Sequence, residues 1–158
     1  MKPIATCLWF DGQAEEAAEF YVSIIPNSEI RTVSRYGEGA PMPAGTALVV
    51  EFTLNGAPFQ ALNGGPQFTF SEAISFVIDA PTQDDIDRYW DVLTADGGEP
   101  SMCGWLKDKF GVSWQVVPPI LGELMSDPNA EKSSRVMQAM LQMRKLDIAA
   151  LQAAYDSP

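Results

Sequence analysis

The sequence predicts an α+β protein in which one strand–helix–strands module is followed by a second of the same order and then by a helical tail. Three observations carry this. The order of elements restarts after Asn63-Gly64-Gly65-Pro66. The aromatic pairs Phe20-Tyr21 and Tyr89-Trp90 each fall late in a module's helix. After Pro118-Pro119 the composition turns helical, and four of the seven Met lie beyond residue 120. Repetition at this spacing implies a pseudo-twofold domain, with modules at residues 1–66 and 67–118 and a tail at 119–158, all within one structural domain.

Residues 4–10 are apolar and β-prone, and Asp11-Gly12 breaks the run. In residues 13–25, Ala14, Ala17, Ala18, Tyr21 and Ile25 recur at three- and four-residue steps, one apolar helical face packed on something flat. Pro26-Asn27-Ser28 ends that helix. Strands follow at residues 29–36, 46–54 and 57–63, the last two joined by Asn55-Gly56, a pair that suits the two positive-φ positions of a type I′ turn. Residues 37–45 hold three Gly and two Pro and read equally as a mobile loop or a simple long connection. The second module starts with a strand at 73–79. Pro81 precedes a helix at 84–95 with Ile86, Tyr89, Trp90 and Leu93 on one face, and Gly97-Gly98 ends it. Two short strands at 102–107 and 112–117 flank a type I turn, with Asp108 first and Gly111 last. In the tail, residues 131–143 and 147–154 are helical, with Val136, Met137, Met140, Leu141, Ile148 and Leu151 as the apolar positions. They read as an adaptable face covering the sheet or a twin subunit.

An apolar fraction of 46% with 10% aromatics fills a core and excludes disorder along the chain. Ten Lys and Arg against 21 Asp and Glu give a formal charge of −11. That balance repels phosphate backbones and anionic lipid, so neither nucleic acid nor membrane is an expected partner. The chain has no His, which rules out Ser-His-Asp, Cys-His and HExxH chemistry and leaves Asp, Glu, Lys, Tyr or Cys for proton transfer. Cys7 and Cys103 form no CxxC pair. No apolar run approaches the ~18 residues of a membrane span and no signal-peptide pattern opens the chain, so a cytoplasmic location is expected.

The stretch Leu8-Trp9-Phe10-Asp11-Gly12, running into Ala14-Glu15-Glu16-Ala17 and Phe20-Tyr21, and above all Cys103-Gly104-Trp105-Leu106-Lys107-Asp108-Lys109-Phe110-Gly111-Val112-Ser113-Trp114-Gln115, resembles the PhnB-like branch of the vicinal oxygen chelate superfamily. That superfamily includes glyoxalases, extradiol dioxygenases and bleomycin-resistance proteins, and the branch carries the label 3-demethylubiquinone-9 3-methyltransferase. The resemblance extends over nearly the whole chain, tail included. It implies two βαβββ modules curling into an open, cup-shaped barrel, assembled as a homodimer. The superfamily's metal enzymes hold their cation with four side chains, usually His or Glu. Carried over by motif, those places fall at Ala5 or Thr6, at Gln60, at Ala73 and at Gln115. Amides, a methyl and a methyl or hydroxyl are poor partners for a divalent first-row metal, so no metal and no cofactor are expected. Nor is there a glycine-rich turn of the kind that brings a methyl-donor cofactor close to a Rossmann backbone.

The expected lining of the cup is Cys7, Trp9, Gln60, Asn63, Ser75, Cys103, Trp105, Trp114 and Gln115. Alternation places Cys7 and Trp9 on one face of the first strand and Thr6, Leu8 and Phe10 on the other. Cys7 lines the cavity if the odd face is the inner one, and buried structural Cys is the preferred reading of its thiol. Trp105 and Trp114 beside Gln115 would suit a planar or apolar ligand, and read equally as cross-strand core. Asn63 and Ser75 either bond a ligand or satisfy backbone groups. Asp108, Lys107 and Lys109 are expected as turn and solvent-facing residues, and Glu51 as exposed on the outer face. The expected function is a metal-free holder of a small organic molecule, with no catalytic residue assigned. The alternatives are an enzyme using Glu51, Cys7 or a borrowed metal for isomerase, lyase or methyl-transfer chemistry, and a resistance-type protein that sequesters a drug.

Overall fold

The computed structural model describes all of residues 1–158. Contacts divide the chain into two units, Met1–Phe70 and Ser71–Pro158.

In the first unit the elements are β1 (Thr6–Phe10), α1 (Ala14–Ile24), β2 (Glu29–Arg35), β3 (Ala47–Leu54) and β4 (Ala57–Asn63). They form an open four-stranded sheet of order β1-β4-β3-β2, in which only β1 and β4 run parallel. Leu8, Phe10, Val50, Phe52, Phe59 and Ala61 are buried on one face of this sheet. On it packs α1, whose buried positions Ala14, Ala17, Ala18 and Tyr21 follow the helical period. Small residues there let the helix lie close to the strands. The β3–β4 hairpin turns at Asn55 (φ 46°) and Gly56 (φ 81°), both left-handed as a type I′ turn requires. The ends of the 37–45 segment are pinned: Tyr36 and Thr46 continue the β2–β3 ladder, and the Gly45 amide donates to the Tyr36 carbonyl.

The second unit repeats this order with β5 (Phe76–Asp79), α2 (Gln83–Thr94), a short 3-10 turn (Ala95–Gly97), β6 (Glu99–Pro100), β7 (Trp105–Lys107) and β8 (Ser113–Val117). The sheet order is β5-β8-β7-β6, again with only the first and last strands parallel. Ile78, Leu106, Trp114 and Val116 are buried beneath α2, which contributes Ile86, Tyr89, Trp90 and Leu93. Each such side chain, fully buried, is worth about 1.5–3 kcal/mol of transfer free energy. Thr82 caps α2: its hydroxyl accepts from the Asp85 amide and donates to the Asp85 carboxylate.

Several boundaries differ from those the sequence suggests; β7, expected over residues 102–107, begins only at Trp105, so Cys103 precedes it. β5 starts at Phe76, so Ala73 and Ser75 precede the strand. β6 is an additional, fourth strand of this module, escaping the pattern because it has two residues and one is Pro.

After β8 come α3 (Pro119–Met125), α4 (Ala130–Leu141) and α5 (Ile148–Asp156). Pro119 is the first residue of α3, where a missing N–H costs nothing. Leu121, Leu124, Val136, Leu146 and Leu151 form the tail's own core. Met140 packs against this core, whereas Met137 and Leu141 are exposed. The Cys103 and Gly104 amides donate to the Met143 and Arg144 carbonyls. Gln83 of α2 donates to the Leu146 carbonyl (3.0 Å) and accepts from the Ile148 amide (2.9 Å). Replacing Gln83 by Ala should therefore loosen the tail by about 1–2 kcal/mol, read as faster amide exchange over residues 146–156 with α2 still protected; unchanged exchange there would contradict this docking.

Candidate functional site

In each sheet one face is covered by the unit's own helix, and the register fixes which side chains lie on the other. In the first unit Cys7 is opposite Gln60, Gln60 opposite Glu51, and Glu51 opposite Thr32. These four form a polar row across the face turned away from α1. The Thr32 hydroxyl donates to Glu51 Oε2 (2.8 Å), and the Gln60 amide reaches Glu51 Oε1 at 3.5 Å. Glu51 is exposed as expected, but it shares the face of Gln60 and Cys7, which places a carboxylate in the candidate site. Cys7 is exposed rather than buried, and partial desolvation raises its thiol above the ordinary range. With no neighbouring cation to favour a thiolate, it is not an activated nucleophile. Trp9 lies on the same face, its indole donating to the Gly65 carbonyl (2.8 Å) and meeting Phe68 edge-on at 4.9 Å. The ring rests directly on Gly64, where a Cβ would fall 2.3 Å from it.

In the second unit Val77 is opposite Gln115 and Gln115 opposite Trp105, all on the face turned away from α2. The Gln115 amide donates to the Ser75 hydroxyl at 2.9 Å. Ser75 therefore stands beside Gln115, a position the motif assigned to Ala73. The corresponding residue of the first module is Ala5: Ser75 lies two before Val77, which pairs Gln115, and Ala5 two before Cys7, which pairs Gln60.

Three residues expected to line the site are used elsewhere. Trp114 is buried on the opposite face from Gln115 and Trp105, because alternate residues of a strand point to opposite sides. Its indole donates to Asp108 Oδ2 at 2.9 Å. Asp108 itself, expected at the solvent, is 2% exposed, and its other oxygen accepts from the Phe110 and Val112 amides. Asn63 is 1% exposed: Oδ1 accepts from the Ala14 amide, capping α1 from across the unit, and Nδ2 donates to the Ala47 carbonyl. Cys103 adopts a positive φ of 59° in the turn before β7, where its backbone amide binds the tail. Of the expected lining, Cys7, Trp9 and Gln60 lie on the open face of one unit, joined by Glu51, and Ser75, Trp105 and Gln115 on that of the other. Glu51's company was not readable without the β2–β3–β4 register.

At the four positions that the resemblance implies, taking Ser75 in place of Ala73 because it bonds Gln115 and Ala5 as its counterpart, the donors are a methyl (Ala5), a hydroxyl (Ser75) and two amides (Gln60, Gln115). No group of three or more Cys, Asp or Glu gathers anywhere in the chain. One adjacent carboxylate, Glu51, does not supply the several anionic or imidazole ligands that offset dehydration of a divalent transition metal. These residues do not fit the superfamily's cation.

Two tandem βαβββ units with open mixed sheets are the fold of the vicinal oxygen chelate superfamily. Within it, the chain belongs to the 3-demethylubiquinone-9 3-methyltransferase family, the PhnB-like branch, whose model matches residues 2–117. The match ends at β8, so α3, α4 and α5 lie beyond it, whereas the resemblance read from the sequence extends over them. A PhnB protein from Bacillus cereus is 38% identical, with a TM-score of 0.69 over 74% of this chain and 99% of that one. A Pseudomonas aeruginosa protein (19% identity, TM-score 0.60, 75% and 98% covered) and the fosfomycin resistance protein FosX from Listeria monocytogenes (18%, 0.51, 77% and 94%) share the fold. No curated protein matches the chain. No helix is long and apolar enough to cross a membrane.

Proposed function

We propose that this protein binds small organic molecules on the open face of each unit's sheet, which carries Cys7, Trp9 and Gln60 in the first and Ser75, Trp105 and Gln115 in the second, without a divalent metal, and that it does so as a homodimer. The observation that supports the reading is the donor set itself. Gln60 and Gln115 occupy equivalent places in the two modules, each opposite the parallel partner strand. Both present neutral amides, which hydrogen-bond an organic ligand in either direction but bind a hard cation poorly. Trp9 and Trp105, each half-buried, add apolar surface beside them.

Protein purified without chelator should retain well under one equivalent of transition metal by elemental analysis. One equivalent held tightly, and lost on replacing Gln60 and Gln115 by Ala, would reject the reading. A thermal-shift screen over metabolites then identifies the ligand class. A compound present at a hundred times its dissociation constant stabilises by about 2.7 kcal/mol, roughly 5–10 °C for a chain of this size. The screen should include S-adenosylmethionine, fosfomycin and glycopeptide-like drugs. Adenosylmethionine should give no shift, since the turn after β1 is only Asp11-Gly12, whereas a selective drug response would favour the sequestering alternative. Light scattering should give twice the 17.2 kDa of the chain.

A further inference from the structure

We propose that the second unit carries a further binding site, at the β6 edge of its sheet and sharing only Trp105 with the amide faces, for a small protonated amine that also bears a hydroxyl group. The site needs neither Gln60 nor Gln115.

The register brings its parts together. Glu99 on β6 is opposite Lys107 on β7, and Lys107 is opposite Ser113 on β8. Alternation from Trp114, which faces α2, puts Ser113 on the open face. A pocket of ≈ 130 Å³ lies over this row, lined by Glu72, Glu99, Ser101, Trp105, Lys107 and Ser113 among others. That is far above the roughly 10–15 Å³ that admits a single water, and leaves room for a molecule of several heavy atoms.

Two features identify the ligand. The first is Ser113, 1% exposed, whose Oγ has no hydrogen-bond partner within the protein. A buried hydroxyl left unpaired is destabilising, and such groups in folded proteins are nearly always satisfied by something. The hydroxyl both donates and accepts, and a ligand hydroxyl answers both.

The second is the balance of charge. The Lys107 ammonium is bound to Glu72 at 2.6 Å. Each partner stabilises the other's charged form, raising the lysine and lowering the carboxyl. The pocket's remaining charge is then the exposed Glu99 carboxylate, on a chain of net −11, and the half-buried indole of Trp105 also favours a cation. An anion would have to displace Glu72 from Lys107 and then face Glu99.

The test is an amide-resolved NMR titration with ethanolamine hydrochloride, run beside ethylene glycol (neutral) and glycolate (anionic) at matched ionic strength. Ethanolamine should give saturable shifts at the amides of Ser113, Lys107 and Trp105, and the two controls should bind at least about tenfold more weakly. Glu99→Gln and Ser113→Ala should each weaken ethanolamine by about tenfold. Ser113→Ala should also leave the unliganded protein as stable or more so, because it removes an unpaired buried group. Gln115→Ala should leave this titration unchanged, so that failure here and failure of the amide-face reading are separately visible. No saturable shift, an equal response to either control, or affinity indifferent to Glu99→Gln would overturn the proposal.

Discussion

Replacing Asp108 by Ala is expected to destabilise the second unit by about 3 kcal/mol or more, lowering its melting temperature by roughly 6–12 °C. The cause is the number of donors that one buried carboxylate serves. Oδ1 accepts from the Phe110 and Val112 amides at 2.8 and 3.0 Å, and Oδ2 accepts the Trp114 indole N–H at 2.9 Å. The alanine variant leaves the Val112 amide and the indole N–H buried without partners, each costing about 1–3 kcal/mol. Trp114 is 3% exposed beneath α2, so water reaches it only by disturbing the core. Asp108→Asn should cost less, since its amide keeps one acceptor oxygen and turns a donor toward the other site. Urea denaturation followed by indole fluorescence, with amide exchange locating the loss at β7 and β8, measures this. A change below about 1 kcal/mol for the alanine variant would mean that the turn finds other acceptors.

Asn63→Ala should have a comparable effect in the first unit, about 2–4 kcal/mol. The side chain replaces a conventional cap: Gln13, at the start of α1, makes no capping bond, and the Ala14 amide is satisfied by Asn63 from the end of β4 instead. The Nδ2 donor simultaneously closes on the Ala47 carbonyl at the start of β3, so one residue ties β4, β3 and α1. Its truncation orphans a helix N-terminal N–H and a strand carbonyl, both buried. Asn63→Asp should recover part of the loss, because it keeps the acceptor and sets a negative charge at a helix N-terminus, while the Ala47 carbonyl loses its donor. Circular dichroism melts with exchange at the first turn of α1 would show the order wild type, Asp, Ala. An alanine variant as stable as the wild type would remove Asn63 from this structural role.

Both residues show why a side chain's type does not give its use. Asp108 and Asn63 sit at a turn and a strand end, where Asp and Asn are common for local reasons. Nothing in their neighbours' identities says that one will be sealed under a tryptophan and the other will cap a helix 49 residues away. Their partners are set by how β8 and β4 lie against the rest of their units. The same holds for the candidate site. Trp105 and Trp114 are close in sequence, yet nine residues and a turn place them on opposite faces. Glu51 joins Gln60 only because β3 and β4 pair in one register, and a shift of one residue would have sent it under α1.

Local physical chemistry was sufficient for much else. Helical spacing of Ala14, Ala17, Ala18 and Tyr21, and of Ile86, Tyr89, Trp90 and Leu93, marks α1 and α2 and the faces they bury, because burial at a 3.6-residue period needs no knowledge of the partner. Asn55-Gly56 marks the β3–β4 hairpin through its tolerance of positive φ. The duplicated order and the absence of His are properties of the chain before it folds. Strand length, cross-strand register and the choice of face are different in kind. They depend on which segments meet, so β6, the Glu99–Lys107–Ser113 row and the choice of Trp114 rather than Gln115 as the side chain buried under α2 were decided only when the second sheet assembled. The chain alone thus determined the modules and the chemistry available to them, and the tertiary structure determined which side chains share a surface, because side-chain proximity across strands is set by pairing rather than by position along the backbone.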